Sequence, residues 1–345
     1  MDSGTLAIKE LLMNTSHKRP TLQHIADHLG LTKMTISRYL RNPDAVAEET
    51  RKKIAAAIEQ FGYIPNRAPS MLSNAKSRAI GVLVPSLTNQ VFADVIKGIE
   101  TITDKAGYQT MLAHYGYSLE KEEQRVESLL SYNVDGLILS ENHHSEKTLN
   151  MIEVANIPVI EIMDSHQLGI QQVIGFDNSV ASQAMVETMI QRGHQHIVYF
   201  TARMDKRTQL KMQGYETAMK NHKLPAHSLI TEQPSSFSLG AELLHQALTQ
   251  YPQLDGIVCT NDDLAVGALF ECQRLGIKVP EQIGIAGFHG HDVGQSMTPQ
   301  LATVITPRLE IGKRAAEELL NRINGIPQQS SIIDLGYHIH IGESI

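Results

Sequence analysis

A chain of 345 residues, 42% apolar and 19% charged, with a net charge of −7, is long enough for a small module plus one or two larger domains with substantial cores. No run approaches the roughly 20 apolar residues that span a bilayer, and the N-terminus lacks the basic start and cleavage pattern of a secretion signal. Cys259 and Cys272 form neither a metal-ligand spacing nor a disulfide framework, so a membrane-embedded or disulfide-stapled class is excluded and a reducing cytoplasm is the expected setting.

Residues 1–17 form an extension whose TLAIKELLM fits either a partial helix or a tail. Residues 20–40, PTLQHIADHLGLTKMTISRYL, predict two short helices joined by a tight Leu29-Gly30-Leu31 turn. Thr21 is placed to cap the first, in which Leu22, Ile25, Ala26 and Leu29 recur at helical spacing. Thr32 is placed to cap the second, with Ile36 and Leu40 inward. Lys33, Met34, Thr35, Ser37 and Arg38 then face outward near its N-terminus, where a recognition helix presents side chains to base edges.

Any helical hairpin with a glycine turn shares that pattern, and the charge distribution separates the two readings. Residues 16–78 carry eleven Lys and Arg against five Asp and Glu, about +6, so the remainder of the chain sums to about −13. Positive charge gathered in one segment of an acidic protein fixes which end can approach phosphate. A third helix within AVAEETRKKIAAAIEQFGYIPN, with Val46, Ile54, Ala57, Ile58 and Phe61 on one face, completes a helix-turn-helix domain over 18–66. The next piece reads either as a plain linker or as a hinge helix over 67–77 that orders on DNA, with Leu72 as a wedge for the minor groove.

From Arg78 the pattern changes to apolar runs alternating with amphipathic helices. AIGVLVPS, QTMLAHY, VDGLILS and PVIEIM read as strands with helices between them, and a second series follows Asp177 with strands HIVYFTA, LITEQ, GIVCT and IGIAGF. The expected fold is α/β: two lobes of doubly wound parallel sheet behind the helical head. Lobe one takes about 78–176 with part of 306–330, and lobe two about 178–304 with part of the C-terminus. The tail supplies a strand TVIT, a helix from Arg308 to Asn324 and a strand pair around IIDLGYHIHIG that ties the lobes together.

Ligands of such sheets bind beyond the carboxyl ends of the strands, and two such edges facing each other make a cleft. Its lining is expected from the strand-to-helix loops: Asn89, Gln90 and Phe92 after the first strand, Glu161 and Asp164 around PVIEIMD, Asp177 at the lobe crossing, Asn261 after GIVCT, and His289 after GIAGF. Each Asn or Asp taken singly is equally open to a helix-capping role. No metal or other cofactor is expected, since His289 and His291 have only Asp292 nearby as a further ligand.

The chain resembles the lactose-repressor (LacI) family of bacterial transcription regulators. The head pattern is carried by Thr21-Leu22, Ile25-Ala26, Gly30-Leu31-Thr32, Thr35-Ile36-Ser37-Arg38 and Gly62-Tyr63-Ile64-Pro65-Asn66, and the body pattern by IGFDN, CTNDDLAVG and GIAGF. KMTISRYLRNP, PSLTNQVFAD, GYQTMLAHYGY and AGFHGHD are similar to the gluconate-utilisation repressors within that family. The resemblance implies a periplasmic-binding-protein-like effector domain, base reading by Lys33, Met34 and Arg38, and phosphate contacts by Thr35, Ser37 and Asn66. It also implies further DNA contacts by Thr21, Leu22, Thr32 and Arg67, with Leu72 as the wedge.

In the pocket, the family's guanidinium falls on Lys211, three residues before Gly214-Tyr215, and its carboxylate after GIAGF is replaced by His289. These departures fit a sugar-acid carboxylate, though a solvated helix lysine and a loop histidine fit them equally from charge alone. The implied protein is a cytoplasmic homodimeric repressor of gluconate genes that binds a double-stranded operator and leaves it when gluconate or a close derivative enters the cleft. A LacI-type regulator of another metabolite keeps the same architecture, and an enzyme is disfavoured by the lack of a phosphate loop, GxGxxG or catalytic serine motif.

Overall fold

The computed structural model describes residues 20–65 and 76–345, which fall into two units divided between Ala75 and Lys76. In the first unit, α1 (Leu22–Leu29) starts at Thr21, whose hydroxyl accepts from the His24 backbone N–H, and stops at Gly30, whose φ of 63° needs no Cβ relief. Helix α2 (Lys33–Arg41) is capped by Thr32, and α3 (Glu48–Phe61) ends at Gly62, also left-handed at φ 57°. Ile25, Ala26, Ile36, Ile54, Ala57 and Tyr63 close a small core, with Leu22, Leu29, Leu40, Val46, Ile58 and Phe61 packed around it half-buried.

The second unit holds two six-stranded sheets. The first contains β1 (Ala79–Val84), β2 (Gln109–His114), β3 (Gly136–Leu139), β4 (Val159–Ile162), β5 (Gln172–Gly175) and β11 (Ile332–Asp334), in the order β11-β5-β4-β3-β1-β2 and parallel throughout. Helices α4 (Val91–Thr103), α5 (Leu119–Ser131) and α6 (Glu146–Ala155) connect its strands. The second contains β6 (Ile197–Phe200), β7 (His227–Leu229), β8 (Gly256–Cys259), β9 (Gly284–His289), β10 (Ala302–Ile305) and β12 (His338–His340), in the order β12-β10-β9-β8-β6-β7. Its strands are parallel except β12, which runs antiparallel to β10. Helices α7 (Asn178–Gln191), α8 (Lys206–Asn221), α9 (Phe237–Gln250), α10 (Asp262–Leu275) and α11 (Asp292–Ser296) belong to this lobe, while α12 (Arg308–Ile323) returns to the first and packs on α4.

The central strands are buried along their whole length, which explains their unbroken apolar runs. Within 76–345 the chain passes between lobes three times, after β5, after β10 and after β11. The tail strands β11 and β12 do tie the lobes together, yet they do not pair with each other: each completes the edge of a different sheet. Strand β5 and helix α11 were not legible, and β7 spans His227–Leu229 rather than 229–233, its ladder ending where its partner β6 ends at Phe200. No described helix is long and apolar enough to cross a membrane.

Candidate functional site

In the first unit, α2 carries the exposed side chains of Lys33, Met34 and Arg38 within its first six residues, with Met34 67% exposed. An apolar side chain so exposed on a helix whose opposite face holds the fully buried Ile36 has no packing role inside this unit. Charge sorts the helices further. Among the described residues Arg51, Lys52 and Lys53 are engaged by Asp44, Glu48 and Glu49, whereas Lys33, Arg38 and Arg41 enter no ion pair. The uncommitted cations therefore cluster on α2, as a surface that meets phosphate requires.

Thr35 and Ser37 are half-buried, and the Thr35 hydroxyl lies 3.1 Å from that of Thr32. Thr21 is exposed as the α1 cap, and Leu22 packs against the core. Asn66, Arg67 and Leu72 lie outside the described residues, as do the extension 1–17 and nearly all of the expected hinge.

In the second unit, the carboxyl ends of the two sheets face each other across a narrow cavity of about 40 Å³. Asn89, Val91, Phe92, Tyr117 and Met163 line it from lobe one; Arg203, Asp205, Arg207, Thr208, Lys211, Thr260, Asn261 and His289 line it from lobe two. Beyond Tyr117 and Asp205 it adjoins a wider space of about 570 Å³ bounded by Tyr115, Glu141, His143, Met204 and Lys206, among others.

The buried cation-forming group is Lys211, 4% exposed, on the inner face of α8. Gly214 lets α8 approach α7 so closely that a Cβ there would meet the Ser179 carbonyl oxygen at 2.1 Å, and the buried Tyr215 hydroxyl donates to the Ile197 carbonyl at 2.8 Å. The Gly-Tyr pair is thus a structural anchor that aims the preceding turn at the cleft. Lys211 Nζ donates to the Thr260 carbonyl at 3.0 Å, stands 3.0 Å from His289 Nε2 and lies 4.0 Å from the centroid of the Phe288 ring. Burial pulls its pKa down to about 7, and burial with the neighbouring lysine holds His289 well below the usual imidazole range.

A neutral His289 accepts from Lys211 through Nε2 and faces the Thr306 hydroxyl through Nδ1 at 3.4 Å. Its backbone is strained at φ 105°, and its carbonyl accepts from Arg308, which also bonds Asp94 of lobe one at 3.0 Å.

Arg207, one turn before Lys211, reaches across the cleft: Nη1 donates to the Ser140 carbonyl at 2.7 Å and Nη2 lies 3.5 Å from Glu141. Burial raises the Glu141 carboxyl, and Arg207 opposes that shift. Arg203 adds a contact to lobe one over the Tyr117 ring at 4.7 Å. Sequence reasoning missed Arg203, Asp205 and Arg207. The four-residue spacing between Arg207 and Lys211, which puts both on one helix face, was the signal that could have found the nearer cation.

Of the expected cleft residues, Asn89, Phe92, Lys211, Asn261 and His289 come together. Gln90 is exposed at the start of α4 and does not line the cavity. Glu161 does not either: it is consumed in a buried chain in which His144 bridges Glu122 at 2.8 Å and Glu161 at 3.3 Å, while the second Glu161 oxygen accepts from the Ile170 N–H. Asp164 accepts from Asn142 and Asn178, and Asp177 caps α7, so both carboxylates serve the crossing between lobes.

A family model for bacterial regulatory proteins of the lacI family matches residues 21–66, and one for periplasmic binding proteins and the sugar binding domain of the LacI family matches 77–340. The chain is 59% identical to the HTH-type transcriptional regulator GntR of Escherichia coli strain K12, over 95% of this chain and 99% of that protein. A LacI family transcriptional regulator from Silicibacter pomeroyi superposes at TM-score 0.89 and 30% identity, covering 94% of this chain and 99% of that one. The lac repressor dimer bound to operator and the anti-inducer ONPF superposes at TM-score 0.83 and 22% identity, covering 95% and 99%, a likeness of fold alone.

Proposed function

The chain belongs to the LacI family of bacterial regulatory proteins, and from that premise we propose that it represses genes for uptake and catabolism of a sugar acid, gluconate or a close derivative. It reads a near-palindromic operator as a homodimer, one head per half-site, and acts in the cytoplasm as a regulator rather than an enzyme. Lys33, Met34 and Arg38 read bases: arginine can bond guanine in bidentate fashion, while methionine reads shape and methyl groups. Thr35, Ser37, Asn66 and Arg67 hold the backbone, and Leu72 wedges the minor groove.

The observation that carries the effector reading is the pair Lys211 and Arg207, a buried amine and a largely buried guanidinium one helical turn apart in a cavity between lobes. A ligand carboxylate entering there gains charge-assisted bonds, and Asn89, Asn261, Asp205 and His289 offer donors and acceptors to hydroxyls. Because Arg207 and Arg203 touch both lobes, a ligand that engages them alters how the lobes meet, and effector and operator then change each other's affinity by the same factor.

Operator-fragment binding followed by fluorescence anisotropy at fixed salt, alone and with gluconate, 6-phosphogluconate or glucose, tests this. Release by a sugar acid and not by glucose is expected; tight binding indifferent to all three removes the effector assignment and leaves the DNA reading standing.

A further inference from the structure

Buried lysines ordinarily meet a carboxylate, because an ammonium stripped of water needs a compensating charge. Lys211 does not. Among the described residues its Nζ enters no ion pair, and its near partners are a carbonyl, a neutral imidazole nitrogen and the face of Phe288. The wider surroundings divide. At the start of its own helix, the capping Asp205 attracts a proton to it and Arg207 in the first turn repels one. Asp262, at the start of α10, also attracts, but its carboxylate already accepts from the Thr303 hydroxyl at 2.7 Å and the His291 backbone N–H, and burial raises its own pKa. His289 faces Lys211 from the end of β9, with the His291 ring stacked on it at 6.1 Å and Arg308 of α12 bonding the His289 carbonyl. From lobe one the cavity is closed by Asn89, Phe92, Tyr117 and Met163, none of them anionic at neutral pH.

We propose that Lys211 is a neutral amine in the free protein and takes up a proton as an anionic ligand enters, so that the cleft binds a carboxylate and a proton together. This rests on the sugar-acid reading of the same cleft. The amine form is consistent with the geometry: it still donates to Thr260 and His289, and burial has already brought its pKa to about 7. A ligand carboxylate supplies the missing counter-charge and lifts that pKa. The balance is simple: the proton comes from solvent or buffer, Lys211 becomes the ammonium and the ligand remains the carboxylate. The sign follows from linkage. Where the bound form holds more protons than the free form, affinity falls as pH rises, about tenfold per unit between the free and bound pKa values. A permanently charged site lacks that slope. The device makes the effector threshold depend on the pH around the protein, in addition to the concentration of the sugar acid.

The test is NMR of the full chain carrying ¹³Cε-labelled lysine, with K211R assigning the Lys211 signal, at pH 8.5 without and with gluconate. The expected result is an amine signal in the free chain that moves to the ammonium position on adding gluconate. Calorimetry at the same pH should accordingly show uptake of about one proton per chain, read as a less exothermic heat in Tris than in phosphate. A Lys211 ammonium in the free chain at pH 8.5, or a gluconate heat that is the same in both buffers, overturns the proposal. A free-chain amine with neither the signal nor operator affinity responding to gluconate overturns the effector assignment beneath it.

Discussion

The head and the cleft use charge in opposite ways. On α2 the cations Lys33, Arg38 and Arg41 stand in water, uncommitted among the described residues, around a core of only six buried side chains. In the cleft, Lys211, His289 and Asp262 are withdrawn from water, and their proton affinities move with burial. A polyanion with charge every few ångströms supplies its own counterpart to each exposed cation, so the protein need only present them. A small ligand supplies one charge, and the protein must hold the rest of the site in place beforehand.

The head stands on its small core alone. Ile54→Ala removes a fully buried side chain from that small cluster and should cost about 3 kcal/mol, melting the head and abolishing operator binding while gluconate calorimetry on the body is unchanged. Loss of both activities would show that the two units do not stand independently.

The buried His144 sharpens the other side. Burial opposes its charge, but the flanking Glu122 and Glu161 outweigh burial and hold its pKa up to about 9. Because that lies above the unfolded value of about 6.5, its stabilisation is complete below about pH 6.5 and is lost as pH rises through about 9. Thermal unfolding of the native chain minus that of His144→Gln should shrink by about 3 kcal/mol over that window, with the subtraction removing the opposite contribution of Lys211. A constant difference would mean the ring is not the charged element of lobe one.

On the head's surface the effects are smaller and specific. Arg38→Ala should weaken operator binding about tenfold to a hundredfold and relax preference at one base pair, measured by anisotropy on a set of single-base operator variants. Uniform weakening across the set would reassign Arg38 to phosphate. Thr32→Ala, which removes the cap of α2, should lower head stability by about 1 kcal/mol and operator affinity less than tenfold.

The same contrast explains what the sequence made legible. The head's determinants are local: Thr21 and Thr32 cap within three residues, and Gly30 and Gly62 each stop a helix with a left-handed residue. The sheets were readable for a related reason, since strands buried on both faces have to be apolar without interruption. Strand β5 escaped because its four residues, Gln172 to Gly175, begin with a buried glutamine and follow a loop whose apolar residues carry no period. In the cleft, Lys211 and His289 were legible through the resemblance, but the role of Glu161 could not be assigned from its position near the carboxyl end of β4. Its partners His144 and Glu122 lie 17 and 39 positions earlier, and only the folded lobe reveals that its carboxylate is spent internally.

The three passages between lobes bear on synthesis. The head precedes the body in the chain, has every core residue by Tyr63 and can fold while the body is still being made. Lobe one cannot follow in turn: its helix α12 and its edge strand β11 are encoded after residue 307, beyond the whole of lobe two's parallel sheet. A nascent chain therefore carries a finished DNA-reading head long before it has an effector cleft to govern it. A chain cut before Arg308 keeps the reader and loses α12 and both edge strands, β11 and β12, and with them the switch.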